Sequence, residues 1–225
     1  MDKTLCKSAF IATLPVLSGY VVLGTGFGIL LQSKGFGLGW ALAMSLLIYA
    51  GSMQYLAVDL LTGGAGLIAT ALTTLMVNAR HLFYGISMIG KYADTGWRKP
   101  YLIFGLTDET YSLNCTEEKS KDYYFLVTLF NQLYWVAGSA LGAVLGAVLP
   151  FSTEGIDFSL TALFVTVFVE QWRTTKDHVP AVIGVAASVG CLAVFGAENF
   201  LIPTMFLITA ALALWGRRKG GGEYA

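Results

Sequence analysis

The segment TLMVNARHLFYG (74–85) carries an amide, a guanidinium and an imidazole, Asn78, Arg80 and His81, almost side by side within a long apolar run. Holding a charge at the centre of a membrane costs about 2.5–3.5 kcal/mol on insertion scales, so packing alone does not account for Arg80. Its depth in the run leaves no short route for snorkelling to a headgroup. On a regular helix Asn78, His81 and Gly85 share one face, and Arg80 and Tyr84 share another nearly opposite. The first face can line a cavity while Arg80 reaches a carboxylate on a neighbouring element. Candidate carboxylates stand in GLTDETYSLN (105–114), where Asp108 and Glu109 are flanked by Leu106, Tyr111 and Leu113. Thr107 or Asp108 can N-cap a half-helix there. Half-helix N-termini inside membranes bind anionic groups such as a substrate carboxylate. Two adjacent carboxyls in a low dielectric resist ionising together, so one of them can hold a proton.

Other polar side chains interrupt the apolar runs: Ser52, Gln54 and Asp59 in YAGSMQYLAVDL, Asn131, Gln132, Tyr134 and Trp135 in NQLYW, and Glu170 and Gln171 in VEQW. Asp59 and Glu170 fall near run ends, where solvent or headgroups reach them. Gln54 and Asn131 lie deeper, and either interhelical hydrogen bonds or substrate contact explains them. The candidate set for substrate binding or coupling is therefore Arg80, Asp108, Glu109, His81, Asn78, Gln54 and Asn131. No catalytic residue, metal or cofactor is implied. The two histidines, His81 and His178, are far apart and no HExxH occurs. Every lysine lies in a loop or tail, so a Ser/Lys protease is excluded. The three cysteines, Cys6, Cys115 and Cys191, form no CxxC. GTGFG (24–28) has no following GK[ST] and lies inside an apolar run, so a phosphate loop is excluded.

The elements that must position these groups are membrane spans. Charged residues make up 12% of the 225-residue chain, against about 25% in soluble domains, and the mean hydropathy is +0.66. That supply of charge cannot cover a globule, and the class is an all-α integral membrane protein. A net charge of +0 gives no basic face for nucleic acid. Apolar runs at about 8–31, 38–61, 66–90, 124–149, 157–172, 179–197 and 199–216 predict seven transmembrane helices in a single polytopic domain, 1–225. The first run is too long for the apolar core of a signal peptide and reads as a span. Residues 100–113 are too short and too acidic for an ordinary span and predict a re-entrant or broken helix, which needs protein or a wet cavity around it.

Seven spans put Lys34, Lys91, Arg98, Lys99, Lys119, Lys121, Arg173, Lys176, Arg217, Arg218 and Lys219 on one face and only Lys3 and Lys7 on the other. That asymmetry predicts a cytoplasmic C-terminus. GTGFG…GFGLGWALAMSLLIYAGSMQY (24–55) echoes GSALG…GIDFSLTALFVTVFVEQW (138–172), and the two run in opposite directions. This is the pattern of an inverted-repeat transporter. Gly24 and Gly28, and Gly138, Gly142 and Gly146, are spaced for close helix packing.

IYAGSMQY (48–55), NARHLFYG (78–85), FGLTDETYSL (104–113) and GIDFSLTALF (155–164), in this order, resemble the AzlC-type large subunit of bacterial branched-chain amino-acid exporters. The resemblance covers nearly the whole chain. It implies export of valine, leucine, isoleucine and analogues across the inner membrane, with a small hydrophobic AzlD-type subunit as partner. It carries no assigned site residues. A zwitterionic substrate fits Arg80 for its carboxylate and Asp108 or Glu109 for its ammonium. A passive channel, or a structural or regulatory subunit of a transport complex, are the competing readings.

Overall fold

The computed structural model describes residues 3–115, 119–148 and 175–219, with scattered positions between 158 and 173. Among the described residues the regular structure is entirely helical: α1 (Lys3–Ser33), α2 (Leu38–Leu47), α3 (Gly51–Thr62), α4 (Leu67–Val77), α5 (Ala79–Met88), a 3-10 turn (Gly96–Arg98), α6 (Lys99–Phe104), α7 (Asp108–Cys115), α8 (Lys121–Val148), α9 (Val179–Asn199) and α10 (Leu201–Lys219). The chain divides into two compact units, 1–161 and 162–225. Helix α1 and residues 179–196 of α9 are each long and apolar enough to cross a bilayer. Helix α8 has 28 residues, about 42 Å at 1.5 Å per residue, against a hydrocarbon core of about 30 Å. Large apolar side chains face outward, with Leu67 90% and Phe83 71% exposed. An oily exterior of this kind belongs against lipid or a partner rather than water.

Two of the runs expected as uninterrupted spans are broken helices. Run 38–61 is α2 followed by α3, and run 66–90 is α4 followed by α5. The first break is made by Tyr49, held at φ 43, and by Ala50, which is extended at φ −135, ψ 96. A bulky aromatic in the left-handed region is strained and persists only where its surroundings hold it. The second break is one residue wide: Asn78 sits at φ −93, ψ 5, between the helical and extended wells. The face geometry expected for a regular helix through 78–85 therefore applies only from Ala79 onward. The acidic segment is broken as its composition predicts, with α6 ending at Phe104 and α7 starting at Asp108. Run 157–172 lies largely outside the described residues. So do Glu170, Gln171 and most of the second copy of the internal echo.

In the first unit α1 and α8 form the principal helix pair, and α2 also packs on α8. The small-residue ladders make the α1–α8 approach close. A Cβ at Gly28 would stand 2.2 Å from Ser139 O, and one at Gly142 would stand 2.1 Å from Thr25 O. One apolar cluster gathers Tyr20, Phe27, Leu31, Tyr55, Val58 and Trp135 around this seam. A second gathers Ala9, Met88, Tyr92, Leu102, Leu106 and Tyr124. In the second unit α9 packs against α10, and α9 is interrupted by Gly196 at φ 73, ψ 170.

Candidate functional site

Helix α7 is fixed at both ends. Thr107 Oγ1 accepts the Thr110 backbone N–H at 3.3 Å, which is an N-cap. Lys91 Nζ donates to the carbonyls of Asn114 (3.1 Å) and Cys115 (2.6 Å), placing a cation at the C-terminal end of the helix dipole. Asn114 Nδ2 donates to Tyr92 OH at 3.1 Å. Asp108 and Glu109 thereby occupy the first turn of a short, anchored half-helix.

Arg80 crosses to that turn. Its Nη2 lies 3.1 Å from Asp108 Oδ2 and donates to Ser52 Oγ at 3.0 Å. The positions of the three residues on their helices carry the meaning. Ser52 is the second residue of α3, Arg80 the second of α5 and Asp108 the first of α7. Three helix N-termini, each following a chain break, meet at one ion pair. Each N-terminus carries about half a positive charge, so with Arg80 and Asp108 cancelling, the locus is net positive. A guanidinium in the first turn of α5 opposes its own helix dipole, a cost that a carboxylate partner offsets. Arg80 Nε, Asp108 Oδ1 and Asn78 Oδ1 are buried and have no hydrogen-bond partner, so donor and acceptor capacity remains unspent on both sides of the pair. The two side chains are 32% and 31% exposed. A charged pair cannot face hydrocarbon, so its open side faces water or protein.

Around the pair, His81 Nδ1 lies 3.2 Å from the Asn78 carbonyl oxygen, and the His81 ring meets Tyr84 edge-on at 5.8 Å. Tyr84 stacks on Tyr111 of α7 at 4.3 Å. Asn78, Arg80, His81 and Asp108 are thus collected at the α4–α5 break and the start of α7.

Glu109 and Asn131 belong to a separate network on the α1 and α8 side. Tyr20 OH donates to Glu109 Oε2 at 2.6 Å and lies 2.8 Å from Thr107 Oγ1. Thr107 Oγ1 donates to Thr110 Oγ1 at 3.1 Å, and Asn131 Nδ2 donates to the same oxygen at 3.0 Å. The Tyr49 hydroxyl is buried without a hydrogen-bond partner, close enough to Glu109 for their charges to interact.

Gln54 does neither job. Its Oε1 accepts Trp135 Nε1–H at 2.8 Å and its Nε2 donates to Ser45 Oγ at 3.2 Å, which ties α3 to α8 and α2. Its amide is engaged at both ends, so of the two readings open for Gln54 the interhelical one describes its place. Asp59 is exposed near the end of α3, as its position in the run suggested.

Tyr20, Tyr49, Thr110 and Ser52 are absent from the sequence-derived set. A phenol within an otherwise apolar helix is a usable signal for Tyr20, since a buried tyrosine hydroxyl normally finds a partner. The strained backbone of Tyr49 leaves no comparable trace in residue types. Among the described residues no three of the His, Cys, Asp or Glu side chains come together to hold a metal ion.

Comparison with known proteins agrees with the sequence motifs. Over 213 residues the chain is 45% identical to the branched-chain amino acid transport protein AzlC of Bacillus subtilis, covering 92% of this chain and 84% of that protein. It is 41% identical over 214 residues to an uncharacterized membrane protein of Helicobacter pylori, covering 93% and 94%. With inner membrane protein YgaZ of Escherichia coli it shares 27% identity over 214 residues, covering 90% and 83%. No solved structure matches. The family model for AzlC protein matches residues 15–149, which include both broken helices, the acidic half-helix and the α1–α8 seam. The chain is therefore a helical membrane protein that belongs to the AzlC family.

Proposed function

We propose that the chain exports branched-chain amino acids across the bacterial inner membrane as the large subunit of a two-component carrier, with a small hydrophobic AzlD-type subunit as its partner. The observation that carries this reading is the Arg80–Asp108 pair at the meeting of three helix N-termini. A zwitterionic substrate presents a carboxylate and an ammonium a few ångströms apart. Arg80 and the starts of α3 and α5 complement the carboxylate, and Asp108 complements the ammonium. Asn78 and His81 stand beside the pair as neutral hydrogen-bonding groups. Glu109 and Asn131 remain candidates through their own network. The similarity to a protein named for branched-chain amino acid transport supports this substrate class.

An apolar side chain is selected by burial at about 0.8 kcal/mol per CH₂, so valine and leucine differ by a few-fold and overlapping substrates are expected. The outward direction and the partner follow from the family resemblance. Seven spans with a cytoplasmic C-terminus follow from the distribution of lysine and arginine. The partly exposed pair and the outward apolar faces of α4 and α5 are compatible with a second subunit beside them.

Reconstitution tests the whole reading. Vesicles containing the chain with its small partner are expected to release labelled valine faster than vesicles with either alone, and to move it against its gradient when energised. Equal release that stops at equilibrium would make the protein a pore. Release by the small subunit alone would leave this chain a supporting role.

A further inference from the structure

Asp108 and Glu109 are adjacent on α7 but have opposite electrostatic surroundings. Asp108 is paired with Arg80 at 3.1 Å. Glu109 has no cation within ion-pair distance among the described residues, and hydroxyls surround its carboxylate instead. The titratable groups facing it are Tyr20 from α1, Tyr49 from the α2–α3 break and Asp108 from its own helix. From α8 the neutral Asn131 reaches this network through Thr110, and the Trp135 ring packs edge-on against Tyr20. When two neighbouring carboxyls have such different environments, the environments assign their roles. The carboxylate held by a guanidinium has its counter-charge 3.1 Å away. The one whose side-chain partners are hydroxyls can exist in either state.

The hydroxyl network satisfies both states without any covalent relay. With Glu109 ionised, Tyr20 OH donates to Oε2 at 2.6 Å. With Glu109 protonated, the new carboxyl O–H donates to the Tyr20 oxygen, and Tyr20 turns its own hydrogen to Thr107 Oγ1, 2.8 Å away. In the protonated state Tyr20 both accepts and donates; in the ionised state it donates to Glu109 while Thr107 Oγ1 keeps its own hydrogen on Thr110 Oγ1. A half-helix anchored by Thr107 and Lys91 keeps the distances fixed while the hydrogens reverse.

We propose that Glu109 is the proton-carrying residue of transport, taking a proton from water and returning it to water with Tyr20 as its reversible hydrogen-bond partner, while Asp108 stays paired with Arg80. The proposal rests on the transport reading above, and two measurements separate their failures. The first is infrared difference spectroscopy of the protein in lipid as pH is lowered. The C=O stretch of a protonated carboxylic acid is expected to appear, to be lost in Glu109→Gln, to persist in Asp108→Asn and to shift in Tyr20→Phe. A band unchanged in Glu109→Gln overturns the proposal whatever the protein carries.

The second measurement is labelled-valine movement in reconstituted vesicles. A gradient of one pH unit supports roughly tenfold accumulation for one proton per substrate. Wild type is expected to approach that ratio. Glu109→Gln is expected to accumulate nothing, with valine exchange that no longer varies with pH. Gradient-driven accumulation by Glu109→Gln overturns the proposal. A carboxyl band that behaves as expected in a wild-type protein that moves no valine overturns the transport reading and upholds Glu109 as the proton site.

Discussion

The α1–α8 seam and the Arg80–Asp108 locus solve the same problem, joining helices inside oil, in opposite ways. The seam uses no charge. At its glycine positions it removes side chains until two backbones touch. The locus breaks three helices, exposes their N-termini and holds them with an ion pair whose atoms still have unspent hydrogen-bonding capacity. The contrast teaches where rigidity and adaptability are placed. The seam is closed by backbone contact, whereas the proposed function has the locus exchange its internal partners for those of a ligand.

Substitutions in the two regions are expected to separate stability from transport. The largest effect comes at the seam. Gly142→Val places atoms 2.1 Å from the Thr25 backbone, which cannot move aside without separating α1 from α8. A loss of about 3 kcal/mol or more is expected, at the upper end for overpacking, with thermal unfolding and transport falling together. Retention of a wild-type melting temperature would show that the seam is looser than described.

Arg80→Gln is expected to do the reverse. Stability falls by about 1–2 kcal/mol, less than the ~3–5 kcal/mol of a fully buried pair, because both side chains are about a third exposed. Transport falls tenfold or more, corresponding to the roughly 1.5–3 kcal/mol of a charged hydrogen bond. A variant equally stable and equally active would remove the locus from consideration.

Trp135→Phe sharpens the line between the regions. It leaves Gln54 Oε1 buried without its donor, at a cost of about 1–3 kcal/mol in stability. Transport by the remaining folded protein should change little, which a rate normalised to folded protein in the membrane measures.

The smallest effect is expected at the Arg98–Asp122 pair, which belongs to neither region. The hydrogen bond from Arg98 holds the Asp122 carboxyl below its ordinary range. A carboxylate depressed in the folded state adds stability above its unfolded pKa of about 3.9 and loses it as pH falls through the lower folded value. Asp122→Asn should therefore differ slightly from wild type at neutral pH and not at all in strong acid, as melting curves across pH will report.

Much of this was legible from residue types. Arg80 had to meet a carboxylate, and Asp108, in a segment with two adjacent carboxyls, is the one it meets. The glycine ladders fall on the seam because close packing needs small residues at that spacing. The breaks at Tyr49 and Asn78 were not legible. Neither involves proline, and the first places a bulky aromatic at positive φ, where local preference argues against it. Tertiary contacts override local preference there, and single-sequence patterns do not record tertiary contacts. The separation of Asp108 from Glu109 was hidden for the same reason. Adjacent residues in a first turn point about 100° apart, and only the neighbours decide what each one meets.

The central claim, that Arg80 receives the substrate carboxylate, is tested most directly by binding rather than transport. Titration calorimetry with leucine and with leucinamide, which lacks the carboxylate, compares wild type and Arg80→Gln in four measurements. Wild type is expected to prefer leucine by tenfold or more, the value of one charged hydrogen bond, and Arg80→Gln to bind the two alike. An undiminished preference for leucine in Arg80→Gln would place the carboxylate elsewhere and contradict the account.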